Sequence, residues 1–447
     1  MQKLQDATTG SINRHLITIA LPLILGNILQ QFYNTVDAFI VGNYVGQEEM
    51  AAIGIAGTVM NLFLFAIVGG CTGFSVLFAR YYGADLQKEF RRQHFTALVI
   101  GLTVSVLLGL TGLLIMHPIL MLIKTPNNLL NDTSIYLLWI FISLPAAFIY
   151  NLYASLLRSC GDTKAALYIL ATSILANVVL DILFVVKFQW GIAGAAKATA
   201  LTQLLSAILC ICYMKKYRRE LFFQKQDCSI DKKMIKNTLQ FGIVTALHQT
   251  GLYIGKMLVQ GAVNSVGTDT IVAYTAATRI EGFANSFGDS GAASTSIVTA
   301  QNYGAGKKKR VKETFRCSLK LLVILGVVCS AILFITAEQT MGIMLTTHTG
   351  NAFTQAVSYM KIISLFYLFC FTGNTFAGHF DGVGKVTIPF IGAVGHILLR
   401  VILSWIFIQK FALNAVAVAT GIGWVLANIF WANCYLHRRY KQTVIRK

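Results

Sequence analysis

Ionisable side chains are sparse in this chain, yet several stand inside long apolar runs: Asp37, Asp181, Lys197, Lys256, Arg279, Glu281, Asp289 and Arg400. A charge in such surroundings costs at least ~2.5–3.5 kcal/mol at a bilayer centre, and usually marks a path for ions or solutes. Asn27, Gln30, Gln31, Asn34 and Asp37 recur at helical spacing and draw one polar stripe along an otherwise apolar helix. Such a face avoids lipid. It either holds neighbouring helices by hydrogen bonds or lines a path, and the acid at its end favours the path. Asn177 and Asp181 are four residues apart and share one helix face. A carboxylate beside an amide oxygen suits a hard cation. If Asp37 faces Asp181, the two acids can hold either a proton or a metal cation, which is the chemistry of coupling. The alternative is a protonated Asp181 making one hydrogen bond.

Thr245, His248, Gln249, Lys256, Gln260 and Asn264 form a second polar side on a later run. Lys256 either answers an anionic group or snorkels its ammonium to the polar boundary. Glu281, Asn285 and Asp289 follow at i, i+4 and i+8, with Arg279 or Lys256 placed to neutralise the acids in a structural pairing. Pro22, 15 residues before Asp37, lies about 22 Å from it along a helix and favours a kink by removing a backbone hydrogen bond.

The elements that must position these groups are membrane helices. Of 447 residues, 55% are hydrophobic and 12% charged, with a mean hydropathy of +0.64, against about 25% charged in soluble domains. Runs of the length a bilayer requires, about 20 residues, fall near 16–42, 51–79, 95–117, 134–157, 166–186 and 190–214. They resume near 237–263, 270–300, 317–337, 352–379, 387–408 and 411–436. The expected fold is an all-α integral membrane protein of 12 transmembrane helices in two pseudo-symmetric six-helix lobes. Residues 1–214 form the first lobe, 215–236 a basic cytoplasmic linker and 237–447 the second lobe. No sizeable soluble domain fits.

The net charge of +19 reports topology here rather than nucleic-acid binding. Most of the 37 lysines and arginines fall on the N-terminus, alternate loops, the linker and the tail, whereas Lys124, Lys187 and Lys410 fall on the opposite side. Cationic loops stay in the cytoplasm, so both termini are expected there, with the chain in the plasma membrane and its first helix retained. The nine cysteines lie mostly in apolar runs and form no CxxC pair, which suits small buried side chains. No P-loop, HExxH or nucleophile-elbow pattern appears, so the chain is expected to be neither an ATP-driven pump by itself nor an enzyme, and to need no cofactor.

The two halves repeat. Ala79-Arg80-Tyr81-Tyr82-Gly83-Ala84 matches Ala300-Gln301-Asn302-Tyr303-Gly304-Ala305, and Val45-Gly46 matches Val266-Gly267, each about 221 residues apart. Ala198-Thr199 pairs with Ala419-Thr420 at that offset, and Gly161 with Gly384 at about 223. Lobes of six spans have the same orientation, related by an axis along the membrane normal, as in transporters with a site between or within lobes.

The stretch from Pro22 to Val45-Gly46, with Tyr33-Asn34-Thr35-Val36-Asp37, resembles the first helix of multidrug and toxic compound extrusion (MATE) transporters. So do Gln301-Asn302-Tyr303-Gly304-Ala305-Gly306, Leu157-Arg158-Ser159-Cys160-Gly161-Asp162 and Trp190-Gly191-Ile192-Ala193-Gly194-Ala195-Ala196. The resemblance implies an antiporter coupled to Na⁺ or H⁺ that exports organic, mostly cationic, drugs or toxic compounds by alternating access. It places the coupling cation, Na⁺ where a metal is used, at Asp37, Asn177, Asp181 and Thr199, and a helix bend at Pro22. Substrate is expected at Asn27, Gln31, Asn34, Asp37, His248, Gln249 and Lys256. The partners are then small-molecule substrates and membrane lipid, with no nucleic acid, and the chain is a monomer. The seventh run carries Lys256 and no acid, and the tenth only Asp381 near its cytoplasmic end, so the resemblance carries no second-lobe cation site. His248 and Lys256 stand where neutral polar groups are expected, which opens the range to less cationic compounds. The alternative within transport is a lipid-linked saccharide flippase of the same superfamily, with Lys256 and Arg400 as its basic residues. A non-transporting receptor or scaffold would not require inward polar stripes on both lobes.

Overall fold

The computed structural model describes residues 6–229 and 231–437, and the side chains of these except 34–39, 41–43 and 47. The first half holds α1 (Ile12–Tyr44), α2 (Gln47–Gly83), α3 (Gln87–Leu122), α4 (Asn127–Ser159), α5 (Thr163–Asp181) and α6 (Gly191–Tyr217). A π-helical turn, Ile182–Lys187, prolongs α5, and the 3₁₀ turns Arg219–Leu221 and Lys225–Asp227 follow α6. The second half holds α7 (Lys232–Asn264), α8 (Thr268–Gly304), α9 (Lys308–Ile335), the short α10 (Ala337–Leu345), α11 (Asn351–Ser364), α12 (Tyr367–Gly382), α13 (Thr387–Phe411) and α14 (Leu413–Leu436). Among the described residues there is no strand.

Among the described residues nine of these helices are long and apolar enough to cross a membrane, and α11 with α12 makes a tenth, bent by 51°. The remaining long helices, α7 and α8 with 33 and 37 residues, have the length but carry the polar residues singled out above. The helices thus follow the expected series of 12 crossings. The bend between α11 and α12 contains neither proline nor glycine. The carbonyl of buried Ser364 accepts a 2.7 Å hydrogen bond from the Ser330 hydroxyl of α9, so the backbone group freed by the break is satisfied inside protein, as membrane depth requires.

The chain forms two compact units, residues 1–6 with 25–250 and residues 7–24 with 251–447. The first turns of α1 therefore count with the second unit, and the first turns of α7 with the first. In the first unit α4 runs through the middle, with Tyr136, Leu137, Phe141, Leu144, Leu152 and Leu156 buried; Phe141 meets Phe63 of α2 edge-on at 4.9 Å. Lipid offers helices no hydrophobic reason to associate, so small residues that permit close packing carry much of the load. Gly69 and Gly73 of α2 form such a pair: a Cβ at either would collide with the α7 backbone, at Thr245 or at Phe241. In the second unit Tyr359, Tyr367 and Phe371 are fully buried.

The repeat is visible in the backbone. Gly46 and Gly267, just before α2 and α8, have φ of 148° and 139°, and Gly161 and Gly384, just after α4 and α12, have φ of 79° and 72°. These are conformations that side chains disfavour, which accounts for glycine at both copies.

The segments before α1 and α7 are both docked. In the second unit Arg310 donates to the carbonyls of Ala7, Thr9 and Gly10, Lys307 to that of Thr8, and Gln301 accepts from the Ala7 N–H. In the first unit Arg91 Nε holds buried Asp227 at 2.7 Å, and Arg218 holds Asp162. Burial pushes the Asp227 carboxyl up, but the Gln224 N–H and the Arg91 guanidinium outweigh it and leave it below the usual carboxylate range.

Candidate functional site

The first unit contains a buried polar seam between α5 and α6. Ser173, Asn177 and Asp181 follow at i, i+4 and i+8 on α5 and are 5%, 2% and 0% exposed. Across from them the Ser206 hydroxyl donates to Ser173 at 2.7 Å, and Asn177 Nδ2 donates to the Thr202 hydroxyl at 3.3 Å. Thr202 in turn donates to the Ala198 carbonyl at 2.8 Å. Asn177 Oδ1, also buried, accepts no hydrogen bond among the described residues. Buried carbonyl oxygens are nearly always satisfied, so this acceptor suits a cation or a donor that the chain itself does not supply. Asp181 is the last α-helical residue before the π-helical turn, a local change of register that recurs at functional sites.

Thr199 lies one turn before Thr202 on α6 and is half-buried; the hydroxyl that reaches Asn177 is that of Thr202. Sequence reasoning missed Thr202, Ser173 and Ser206. Their signal was weak but present: Ser173 stands four residues before Asn177 on α5, and Thr202 and Ser206 stand four apart on α6.

On α1, Asn27 and Gln31 are half-buried in the first unit, and the side chains of Asn34 and Asp37 lie outside the described residues. Gly26 of α1 packs on Leu167 and Leu170 of α5. Both helices are odd-numbered crossings and run the same way. From Gly26 to Asp37, and from Leu170 to Asp181, is eleven residues, about 16 Å of rise. The backbone positions of Asp37 and Asp181 therefore stand at one level. Pro22 is buried within α1 and counts with the second unit.

The donors at this level are a carboxylate, an amide oxygen and hydroxyls. These hard neutral and anionic oxygens suit a hard cation. Among the described residues no three His, Cys, Asp or Glu side chains gather as a metal-holding group, the pattern that a transition metal would ask for.

His248 and Gln249, both half-buried on α7, belong to the first unit, and exposed Lys256 to the second. In that second unit the Tyr359 hydroxyl of α11 donates to Glu281 Oε1 of α8 at 3.0 Å. Arg400 of α13 donates to the Tyr274 hydroxyl at 3.1 Å, and the two tyrosine rings meet edge-on at 6.0 Å. Among the described residues neither Glu281 nor Asp289 forms an ion pair with Arg279 or Lys256. Tyrosines, which the sequence reading passed over, carry this cluster; Tyr274 stands two turns from Glu281 on the same face of α8.

The family model MatE matches residues 22–183 and 245–406, the same element twice, once in each half. The chain belongs to the MatE family. It is a membrane transporter, not an enzyme. The probable multidrug resistance protein YpnP of Bacillus subtilis (strain 168) is 25% identical to this MatE chain over 451 residues, covering 98% of it and 97% of that protein. The probable multidrug resistance protein YoeA of the same organism is 26% identical over 349 residues, covering 76% and 75%. A crystal structure of MATE in the bent conformation shares the fold with a TM-score of 0.90 at 20% identity, covering 99% of this MatE chain and 100% of that one.

Proposed function

We propose that this MatE protein is an antiporter that exports organic, mostly cationic, small molecules in exchange for Na⁺ or H⁺. The observation that carries this reading is the buried seam in which Asn177 and Asp181 share a face of an apolar helix, with one amide oxygen left without a donor. Names of relatives support it: the YpnP and YoeA proteins are called probable multidrug resistance proteins, and a Staphylococcus haemolyticus relative, 21% identical over 432 residues, a multidrug export protein. Asp37 and Asp181 supply the charge, and Asn177, Thr199 and Thr202 the neutral oxygens. A single proton or sodium ion at this place offsets one of the two negative charges and relieves their repulsion, and the two cations exclude each other. Substrate meets Asn27, Gln31, Asn34 and Asp37 of α1 and His248, Gln249 and Lys256 of α7. Cation and substrate need not touch; each favours a different conformation, and that difference in affinity is the coupling. The protein works as a monomer in the plasma membrane with both termini in the cytoplasm.

Purified protein in liposomes, with efflux of a fluorescent organic cation followed under an imposed Na⁺ or pH gradient, tests this. Efflux is expected to depend on one of the gradients and to fall to background in Asp181→Asn, which keeps the shape but cannot exchange charge. Gradient-driven efflux that persists in that variant sinks the assignment.

Lys256, exposed and with no carboxylate partner among the described residues, favours one second reading, export of an anionic lipid-linked saccharide. Under that reading Lys256→Ala abolishes transport; under the first it alters which organic cations are carried and spares the turnover of some.

A further inference from the structure

Lys197 of α6 stands inside an apolar run and has no part in the coupling seam. Its ammonium lies 4.8 Å from the ring centre of Trp190 and 5.4 Å from that of Trp139. Phe184, stacked on Trp190 at 4.9 Å, completes the head of a cavity of about 420 Å³ that continues along Ile142 of α4 and Leu201 and Leu204 of α6. Trp190, Ile142, Leu201 and Leu204 are 46%, 53%, 45% and 49% exposed. The cavity therefore opens onto an apolar, exposed face of α4 and α6. No carboxylate lines it, and among the described residues Lys197 has no ion-pair partner.

We propose that this cavity binds an anionic phospholipid, with the phosphate on Lys197 and an acyl chain along Ile142, Leu201 and Leu204. Two indole faces offer the ammonium a favourable quadrupole but leave its charge uncompensated, and on a lipid-facing surface the anion at hand is a lipid phosphate. The depths agree. Lys197 is six residues into α6, about 9 Å from the helix start, where tryptophans mark the boundary between headgroups and acyl chains. Leu204 is seven residues further on, about 10 Å deeper, at acyl-chain depth. This end of α6 lies opposite the lysine- and arginine-rich loops, so the lipid belongs to the outer leaflet. The inference stands apart from the coupling reading, because it uses none of its residues.

Reconstitution of the full chain into vesicles containing phosphatidylglycerol or phosphatidylcholine with brominated chains, which quench tryptophan fluorescence on contact, tests the site. Trp139 and Trp190 are the reporters, and Trp139→Phe with Trp190→Phe identifies their share of the signal. Half-quenching of that share is expected at about fivefold lower mole fraction of phosphatidylglycerol than of phosphatidylcholine, the preference one lysine confers at an anionic lipid surface. Lys197→Gln is expected to equalise the two lipids and Lys197→Arg to keep the preference. Equal quenching by both lipids in the unaltered protein, or a preference that survives Lys197→Gln, overturns the proposal. Shielding of these tryptophans from both lipids by a transported organic cation, unchanged in Lys197→Gln, overturns it too and assigns the cavity to drug entry.

Discussion

Asn177 can be satisfied only by groups of opposite hydrogen-bonding character: its amide N–H₂ finds the Thr202 hydroxyl, and its oxygen accepts no hydrogen bond among the described residues. Thr202→Val removes the acceptor while keeping the shape. Leaving a buried donor unsatisfied costs about 1–3 kcal/mol, so the variant is expected to melt at lower temperature in detergent and Thr202→Ser to match the unaltered protein. Because the amide is then free to rotate, the sodium or proton concentration that half-saturates transport is expected to rise in Thr202→Val. A variant that melts and transports like the unaltered protein removes Thr202 from the site. At this scale the sequence was partly legible. Asn177 and Asp181 stand out because amide and acid are rare in an apolar helix, whereas Thr202 hides among small residues that a membrane helix uses simply to pack.

Elements break where the sequence has no ordinary breaker. The π-helical turn Ile182–Lys187 follows Asp181 without proline or glycine, and the 51° bend between α11 and α12 is stabilised by a serine from another helix. Neither was legible: the bend rests on a serine brought close only by tertiary packing, and the π-helical turn has no proline or glycine to announce it. The linker was legible as a polar stretch but not as a docked one. Asp227 is depressed below the ordinary carboxylate range by the Gln224 N–H and Arg91, despite the opposing effect of burial. A depressed acid contributes stability that is present above its unfolded pKa and lost as pH falls through its folded one. Linker docking is therefore expected to hold at neutral pH and to loosen below the usual carboxylate range. Hydrogen exchange over Leu221–Cys228, corrected for the intrinsic effect of pH, should show that loss, and Arg91→Gln should reproduce it at neutral pH. Protection that is the same at both pH values means that Arg91 and Asp227 do not anchor the linker.

The duplication written in the sequence and the division found in space do not coincide. The sequence repeats about every 221 residues and suggests a cut in the linker, yet residues 7–24 count with the second unit and residues up to Thr250 with the first. Sequence cannot show this, because a helix that starts in one packed body and ends in another has the same hydrophobic pattern as one that does not. The consequence is that α1 and α7 each pass from one unit to the other, between Ile24 and Leu25 and between Thr250 and Gly251. If transport reorients the units, these two junctions must bend, and Gly251 stands at one of them. A Cβ there meets nothing within 4 Å, so Gly251→Ala is sterically free. Alanine favours helix over glycine by about 1 kcal/mol, and the substitution stiffens α7 without disturbing packing. The variant is expected to melt at the same or a slightly higher temperature while its turnover in liposomes falls and its half-saturating substrate concentration stays put. Turnover equal to that of the unaltered protein, in a variant shown to be as stable or more so, would place the moving joint elsewhere.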